Sequence, residues 1–245
     1  ALERLTPFQR TLDVPIASFV LETSPVEALA LLAELARHHL ARPVEGGWRL
    51  VAPVRQALPT TEAILGRHAA TVAHFVHALA RDANTDPAAR RALKTWLPDG
   101  ILAVTWWLPR DPEAAAALVP DLGPALLAHG PLDVVRTWLD HPSVPSLPAH
   151  QRGALLRFGV EACLGEGDLG AALTHLQQVV QHHPCPETSL QQGVALQLAE
   201  AHDAARAAYE DAARGPIAIR LLAAAGLASL DNRQGVPARA LEPTT

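Results

Sequence analysis

The sequence predicts a mainly α-helical chain. Ala and Leu dominate its 245 residues, and both favour helix. Aromatic residues make up only 4% and β-branched runs are scarce, which argues against a large sheet. Apolar residues recur at helical spacing in segment after segment, punctuated by Pro and Gly. At 49% hydrophobic and 18% charged, the chain is apolar enough to bury a substantial core and is not a disordered polymer.

The elements follow in order. Residues 4–22 read as a helix or a broken pair, interrupted at Pro15. Residues 25–41 read as one helix. Ser24 caps it, Pro25 suits its first turn, and Glu27 completes a capping box. Leu29, Leu32, Leu35, Ala36 and Leu40 then repeat at helical spacing. Pro43 to Gly47 reads as a turn, and Trp48 to Val51 as a short strand. Two helices, then a helix, a Gly-containing turn and a β-ribbon compose a winged-helix pattern, so residues 1–60 are expected to form a winged-helix-like domain.

Residues 61–245 read as a helical solenoid, with connecting helices over 61–115 and repeats over 116–245. Residues 61–82 form a helix with Ile64, Leu65, Ala69, Val72, Phe75, Val76 and Leu79 on one broad face. Residues 87–97 and 99–108 read as two short helices. Residues 113–128 and 131–140 make a pair around His129-Gly130-Pro131. The Pro142 to Pro148 loop reads as a connection between packed helices. Helices are then expected over 149–164, 169–183, 188–214 (with a break near His202-Asp203) and 217–230. A turn follows from Asp231 to Gly235, and the last residues read as a frayed helix.

Glu166-Gly167-Asp168-Leu169-Gly170-Ala171-Ala172-Leu173, closing with Pro184, resembles a tetratricopeptide repeat. A small residue such as Ala172 lets two antiparallel helices approach closely, and Pro184 ends the second one. Leu156 and Cys163 stand where that family carries larger aromatics. Ala204 to Glu210 resembles the second helix of another repeat, and a third begins near Ile219. Stacked repeats imply a solenoid with a concave binding face.

A longer series carries a wider resemblance. Leu31-Leu32-Ala33-Glu34-Leu35 leads to His39-Leu40-Ala41-Arg42, Trp48-Arg49-Leu50, Val54-Arg55-Gln56 and Arg67-His68-Ala69-Ala70. Leu126 to Leu132, Trp138-Leu139 and the repeat at 149–184 follow. In that order they resemble the winged helix and helical sensor region of bacterial signal-transducing ATPases. These are transcriptional regulators of the MalT/LuxR and streptomycete antibiotic-regulator type. The resemblance implies a regulatory module that binds a small-molecule inducer or a protein partner on its solenoid. The chain departs from that pattern at Val51, where the family has a phosphate-sensing histidine. It also carries no Gly-rich loop ending in Gly-Lys-Ser/Thr.

The residues favour no enzyme. No serine sits in a Gly-x-Ser-x-Gly elbow, and Asp and Glu read as solvated helix faces. No catalytic residue, cofactor or metal site is assigned. His74 and His77 share a helix face, but His68 lies about 240° away and no carboxylate or Cys completes a ligand set. His38-His39 and His182-His183 read as helix-end residues. Trp106 and Trp107, being adjacent, point to different sides, one to the core and one to an interface. Cys163 reads as a small hydrophobe.

The candidate contact residues are Trp48, Arg49 and Arg55. Trp48 either reaches a partner or staples the wing to the 25–41 helix, and the two arginines are candidates for phosphate. Direct DNA contact by this segment is disfavoured, because residues 1–60 hold six Arg (4, 10, 37, 42, 49, 55) and six Asp or Glu (3, 13, 22, 27, 34, 45). The net charge of the chain is -5. Two distant cysteines and the lack of a signal peptide or membrane-length apolar run predict a cytoplasmic location without a membrane partner. Methionine is absent, at position 1 as elsewhere, so the chain is expected to be a fragment, a processed form or one lacking residues. The alternative function is a free-standing tetratricopeptide-type adaptor. A third possibility is an enzyme with an unfamiliar pocket.

Overall fold

In a computed structural model the described residues are 2–182 and 184–234. They are mainly helical, with one two-stranded ribbon. The elements are α1 (Leu2–Leu5), α2 (Val14–Leu21), α3 (Pro25–Arg37), β1 (Ala41–Val44), β2 (Gly47–Leu50) and α4 (Ala52–Ala57). Then come α5 (Glu62–Asp82), α6 (Pro87–Trp107), α7 (Pro112–His129), α8 (Asp133–Leu139), α9 (Ala149–Glu166), α10 (Leu169–His182), α11 (Pro186–Leu198), α12 (His202–Ala212) and α13 (Ile217–Gln234).

Helix starts follow local chemistry. Asp13, Ser24, Thr61, Asp86 and Asp111 cap α2, α3, α5, α6 and α7, each accepting a backbone N–H from the first turn. Pro15, Pro25, Pro53, Pro87, Pro112 and Pro186 sit in first turns, where a missing N–H leaves no bond unmade. Pro15 thus opens α2 instead of interrupting a helix. The capping box at α3 is complete: Glu27 N donates to Ser24 Oγ at 3.2 Å and Ser24 N to Glu27 Oε2 at 2.9 Å. The helix ends at Arg37, four residues before the sequence placed its end. His38 is its C-cap, His39 turns left-handed (φ 59°), and the chain enters β1.

The ribbon pairs Ala41 with Leu50 and Pro43 with Trp48. Pro43, Val44 and Gly47 therefore belong to strands, and the turn shrinks to Glu45-Gly46. Pro43 is tolerated because a two-stranded ribbon has only edge strands.

Two expected helices, 87–97 and 99–108, are one. Pro98 lies inside α6 and removes a single bond from its ladder. α7 likewise carries Pro120 and Pro124. Toward the end, α13 continues through Asp231 to Gln234, where a turn was expected. His183, Gly235 and the expected frayed terminal helix lie outside the described residues. No single described helix is long and apolar enough to cross a membrane.

Contacts divide the chain into two compact units, with the division around 134–147. The first comprises the described residues up to Val134 and Asp140–Ser146. The second comprises Val135–Leu139 and the described residues from Leu147 onward. The reason lies in α5, which packs on α1 and α2 as well as on α6 and α7, so residues 61–134 share a core with 1–60. That core holds Phe8, Leu12, Ile16, Leu32, Val72, Leu93, Trp96, Leu122 and Leu126.

In the second unit α9 packs on α10 and α11, and α11 also packs on α10, α12 and α13. Gly167, left-handed at φ +77°, turns α9 into α10. Asp168 Oδ1 accepts the Ala171 N–H at 3.1 Å, and Ala172 is fully buried beside Val160, Cys163 and Leu176. Tyr209 forms the second packing centre. Its ring lies between Gly193 of α11 and Gly226 of α13, where an added Cβ would come within 2.6 and 2.5 Å of it. Its hydroxyl donates to Gln197 Oε1 at 2.8 Å.

Candidate functional site

The three candidate contact residues converge on one segment of the first unit, Thr6 to Leu12. Trp48 meets it through the backbone: Trp48 N donates to Leu12 O at 2.9 Å and Leu12 N to Trp48 O at 2.7 Å. This joint requires glycine next door. Gly47 has φ +153°, and a Cβ there would stand 2.3 Å from the Leu12 carbonyl oxygen. The ribbon is therefore tied through the Trp48 backbone to the segment before α2, while β1 packs on α3. Exposed Arg49 reaches Thr11 Oγ1 at 3.4 Å. Half-buried Arg55, on α4, donates to Gln9 Oε1 at 3.0 Å.

The same segment is held from inside by a carboxylate that the sequence reading passed over. Asp99 is wholly buried in α6. Its Oδ1 accepts the Gln9 N–H at 2.7 Å and its Oδ2 the Arg10 N–H at 3.2 Å. His68 of α5 completes the set, with Nε2 3.1 Å from Asp99 Oδ1. A carboxylate only accepts, so Nε2 carries the shared hydrogen. Phe8 packs edge-on against the imidazole at 4.6 Å. The Arg10 guanidinium lies 4.0 Å above the Trp96 ring, which in turn stacks on Phe75. Burial lowers the Arg10 pKa, with Asp13 and Asp99 pulling the other way.

A histidine hydrogen-bonded to an aspartate has the makings of a general base. Here the side chains are 1% and 0% exposed, so no substrate reaches them, and the carboxylate already serves three donors. Their role is to fix the backbone of residues 9 and 10. A signal was present in the sequence. Asp99 falls at i+3 from Trp96 and i-4 from Ala103, and His68 at i+3 from Leu65 and i-4 from Val72, on the apolar faces of their helices.

Outside this sealed network lies an open cleft of about 400 Å³. Thr6, Gln9, Arg55, Gln56, Thr60 and Leu65 help line it, a mixed polar and apolar wall without a carboxylate. It offers hydroxyl and amide groups and one guanidinium, and no nucleophile beside a base.

The remaining singled-out residues disperse. His74 stacks on Phe19 at 4.7 Å, while His77 Nδ1 pairs with Asp121 Oδ2 at 3.1 Å. Among the described residues no group of three His, Cys, Asp or Glu side chains is placed to hold a metal ion. Trp106 and Trp107 are both half-buried; Trp106 faces Gly66 and carries Arg110 over its ring at 4.9 Å. Burial raises the Cys163 pKa, against the Arg136 charge, which suits a thiol that acts as core. The exposed Arg136 guanidinium spans the α9–α10 turn, 2.9 Å from Asp168 and 3.5 Å from Glu166.

Comparison with family models, with curated proteins and with solved structures returned no match.

Proposed function

We propose that the chain is a non-enzymatic regulatory module of a transcriptional regulator whose second unit binds a small-molecule inducer or a protein partner. The observation that carries this reading is the serial packing of α9 to α13. α9 contacts α10 and α11, and α11 contacts α12 and α13, which is the arithmetic of stacked helical hairpins. Such stacks present side chains without needing a catalytic constellation. Here they leave large apolar side chains in water: Leu198 on α11, and Ile217, Leu221 and Leu222 on α13. Ile217, Leu221 and Leu222 lie close together at the start of α13, and an exposed apolar patch supports an interaction role.

The order of α1 to α3 followed by β1 and β2 supports a winged-helix reading of residues 1–60. In this reading that part docks on protein and does not grip DNA, since its charge is balanced. Two free thiols, one of them buried, agree with a cytoplasmic site of action.

The test is transcript profiling in the native host. Deleting the gene should change a defined set of transcripts, and the wild-type gene should restore it. The Leu198→Ser/Leu221→Ser pair, both on exposed positions, should fold normally and fail to restore it. An unchanged transcript profile on deletion sinks the regulatory reading. Full restoration by the double variant removes the α11–α13 surface from it.

A further inference from the structure

The first unit holds a second feature unlike the cleft at Arg55. Between α6 and α7, Leu93, Pro124 and Ala125 floor a hollow of about 250 Å³, and Arg90, Arg91 and Lys94 stand around it. A neighbouring hollow of about 390 Å³ shares Arg90, Leu93 and Pro124 and continues toward Ala80 of α5 and its C-cap Ala83. The two make one apolar trough with a cationic edge. Lys94 is the sole lysine of a chain whose net charge is -5.

The charge is uncompensated. Three arginines of this unit have carboxylate partners: Arg4 and Arg67 share Glu22, and Arg110 pairs with Glu62. Among the described residues Arg91 and Lys94 have no ion-pair partner. Arg90 donates Nε to the Ala83 carbonyl at 2.9 Å, which fixes its guanidinium and leaves the other N–H groups uncommitted. No acid lines the hollow that Arg91 and Lys94 border. Asp121 lines the second hollow, which those two cations do not border, and pairs with His77, while Asp86 caps α6 by accepting from Ala88 N at 2.7 Å. Like charges gathered without a counter-charge repel one another, and an anion relieves that.

We propose that this trough binds a small amphipathic carboxylate, an acyl or aryl acid. Its apolar body lies on Leu93, Pro124 and Ala125, and its carboxylate is held by Arg90 with Arg91 and Lys94. The fork of an arginine matches a carboxylate in two parallel hydrogen bonds. The larger hollow alone has the size of a small-molecule site. A polynucleotide would need a longer basic stripe than three residues on one helix. The site lies in the first unit and does not rest on the reading of the second.

Calorimetric titration of the full chain with decanoate tests this, with decanol and butyrate as controls. Decanoate should bind at a single saturable site, weakening as salt rises. Decanol lacks the charge and butyrate the apolar body, so each should bind at least about tenfold more weakly. Arg91→Gln/Lys94→Gln, at two exposed positions, should keep the helical circular dichroism and weaken decanoate at least about tenfold. Arg220→Gln, an exposed cation of the second unit, should change nothing. The proposal is overturned if decanoate gives no saturable heat, if decanol binds as tightly, or if Arg91→Gln/Lys94→Gln retains wild-type affinity.

Discussion

Replacing Asp99 tests how the first unit is assembled. Asp99→Ala strands three donors at once: the backbone N–H groups of Gln9 and Arg10 and Nε2–H of His68. An unsatisfied buried donor costs about 1–3 kcal/mol. Removing a buried charge returns part of its desolvation penalty, so the net loss is about 3–5 kcal/mol, the range for breaking a buried pair. Asp99→Asn should cost less. Its carbonyl can occupy the Oδ1 position and keep Gln9 and His68, while its amide opposes only the Arg10 N–H at the longest of the three contacts. One frustrated donor is about 1–3 kcal/mol. Urea unfolding followed by tryptophan fluorescence reads this, because Trp48, Trp96, Trp106 and Trp107 all belong to the first unit. The midpoint should move and the slope should not. A double-mutant cycle with His68→Ala should show coupling of about 1 kcal/mol or more. An Ala variant within about 0.5 kcal/mol of wild type, or an Asn variant as damaged as Ala, would refute the account of Asp99 as a sink for three donors.

Other consequences can be measured alongside. Gly193→Ala pushes a methyl group into the Tyr209 ring and should destabilise the second unit by about 1–3 kcal/mol, an effect that shrinks in a Tyr209→Ala background, as thermal unfolding will show. Burial raises the Tyr209 pKa above its ordinary 10.0. The folded state thus holds the proton more tightly, and this contribution is present below 10.0 and lost as pH climbs through the folded value; Tyr209→Phe should flatten the alkaline fall in unfolding midpoint. Glu27 behaves oppositely. Its bonds from Ser24 hold its pKa below 4.5, so its contribution is present above 4.5 and lost as pH falls toward the folded value, a decline that Glu27→Gln should reduce in acid titrations of stability. Ser24→Ala should cost about 1 kcal/mol in urea unfolding, by leaving the Glu27 N–H without its acceptor.

Local chemistry was the most legible part of the sequence. Ser24, Pro25 and Glu27 announce α3, and the Gly167-Asp168 turn with Ala172 announces the α9–α10 pair, because each signal acts within a few residues of itself. Prolines were harder. Pro15 reads as a break and proves to be a start, since only the cap at Asp13 distinguishes the two. Pro98 reads as a stop, yet the helix runs on, with buried Trp96, Leu97, Ala103 and Val104 on both sides of it. Long-range consequences were least visible. Nothing near residue 60 announces that α5 packs on α1 and α2. The candidate site was half legible. Trp48, Arg49 and Arg55 do gather, but around Thr6–Leu12, whose place depends on an aspartate ninety residues away. An acidic residue in a helix reads as solvated until its place on the apolar face is weighed.

Tyr209 and the two glycines that flank it have a meaning beyond stability. The three positions come from α11, α12 and α13, and no one of them can drift alone: a larger residue at 193 or 226 is excluded while the ring remains. Over evolutionary time such a trio changes together or stays fixed. Gly, Tyr and Gly at spacings of sixteen and seventeen residues therefore form a covarying signature. A search keyed to that triplet has a handle on distant kin where comparison over the whole chain finds none.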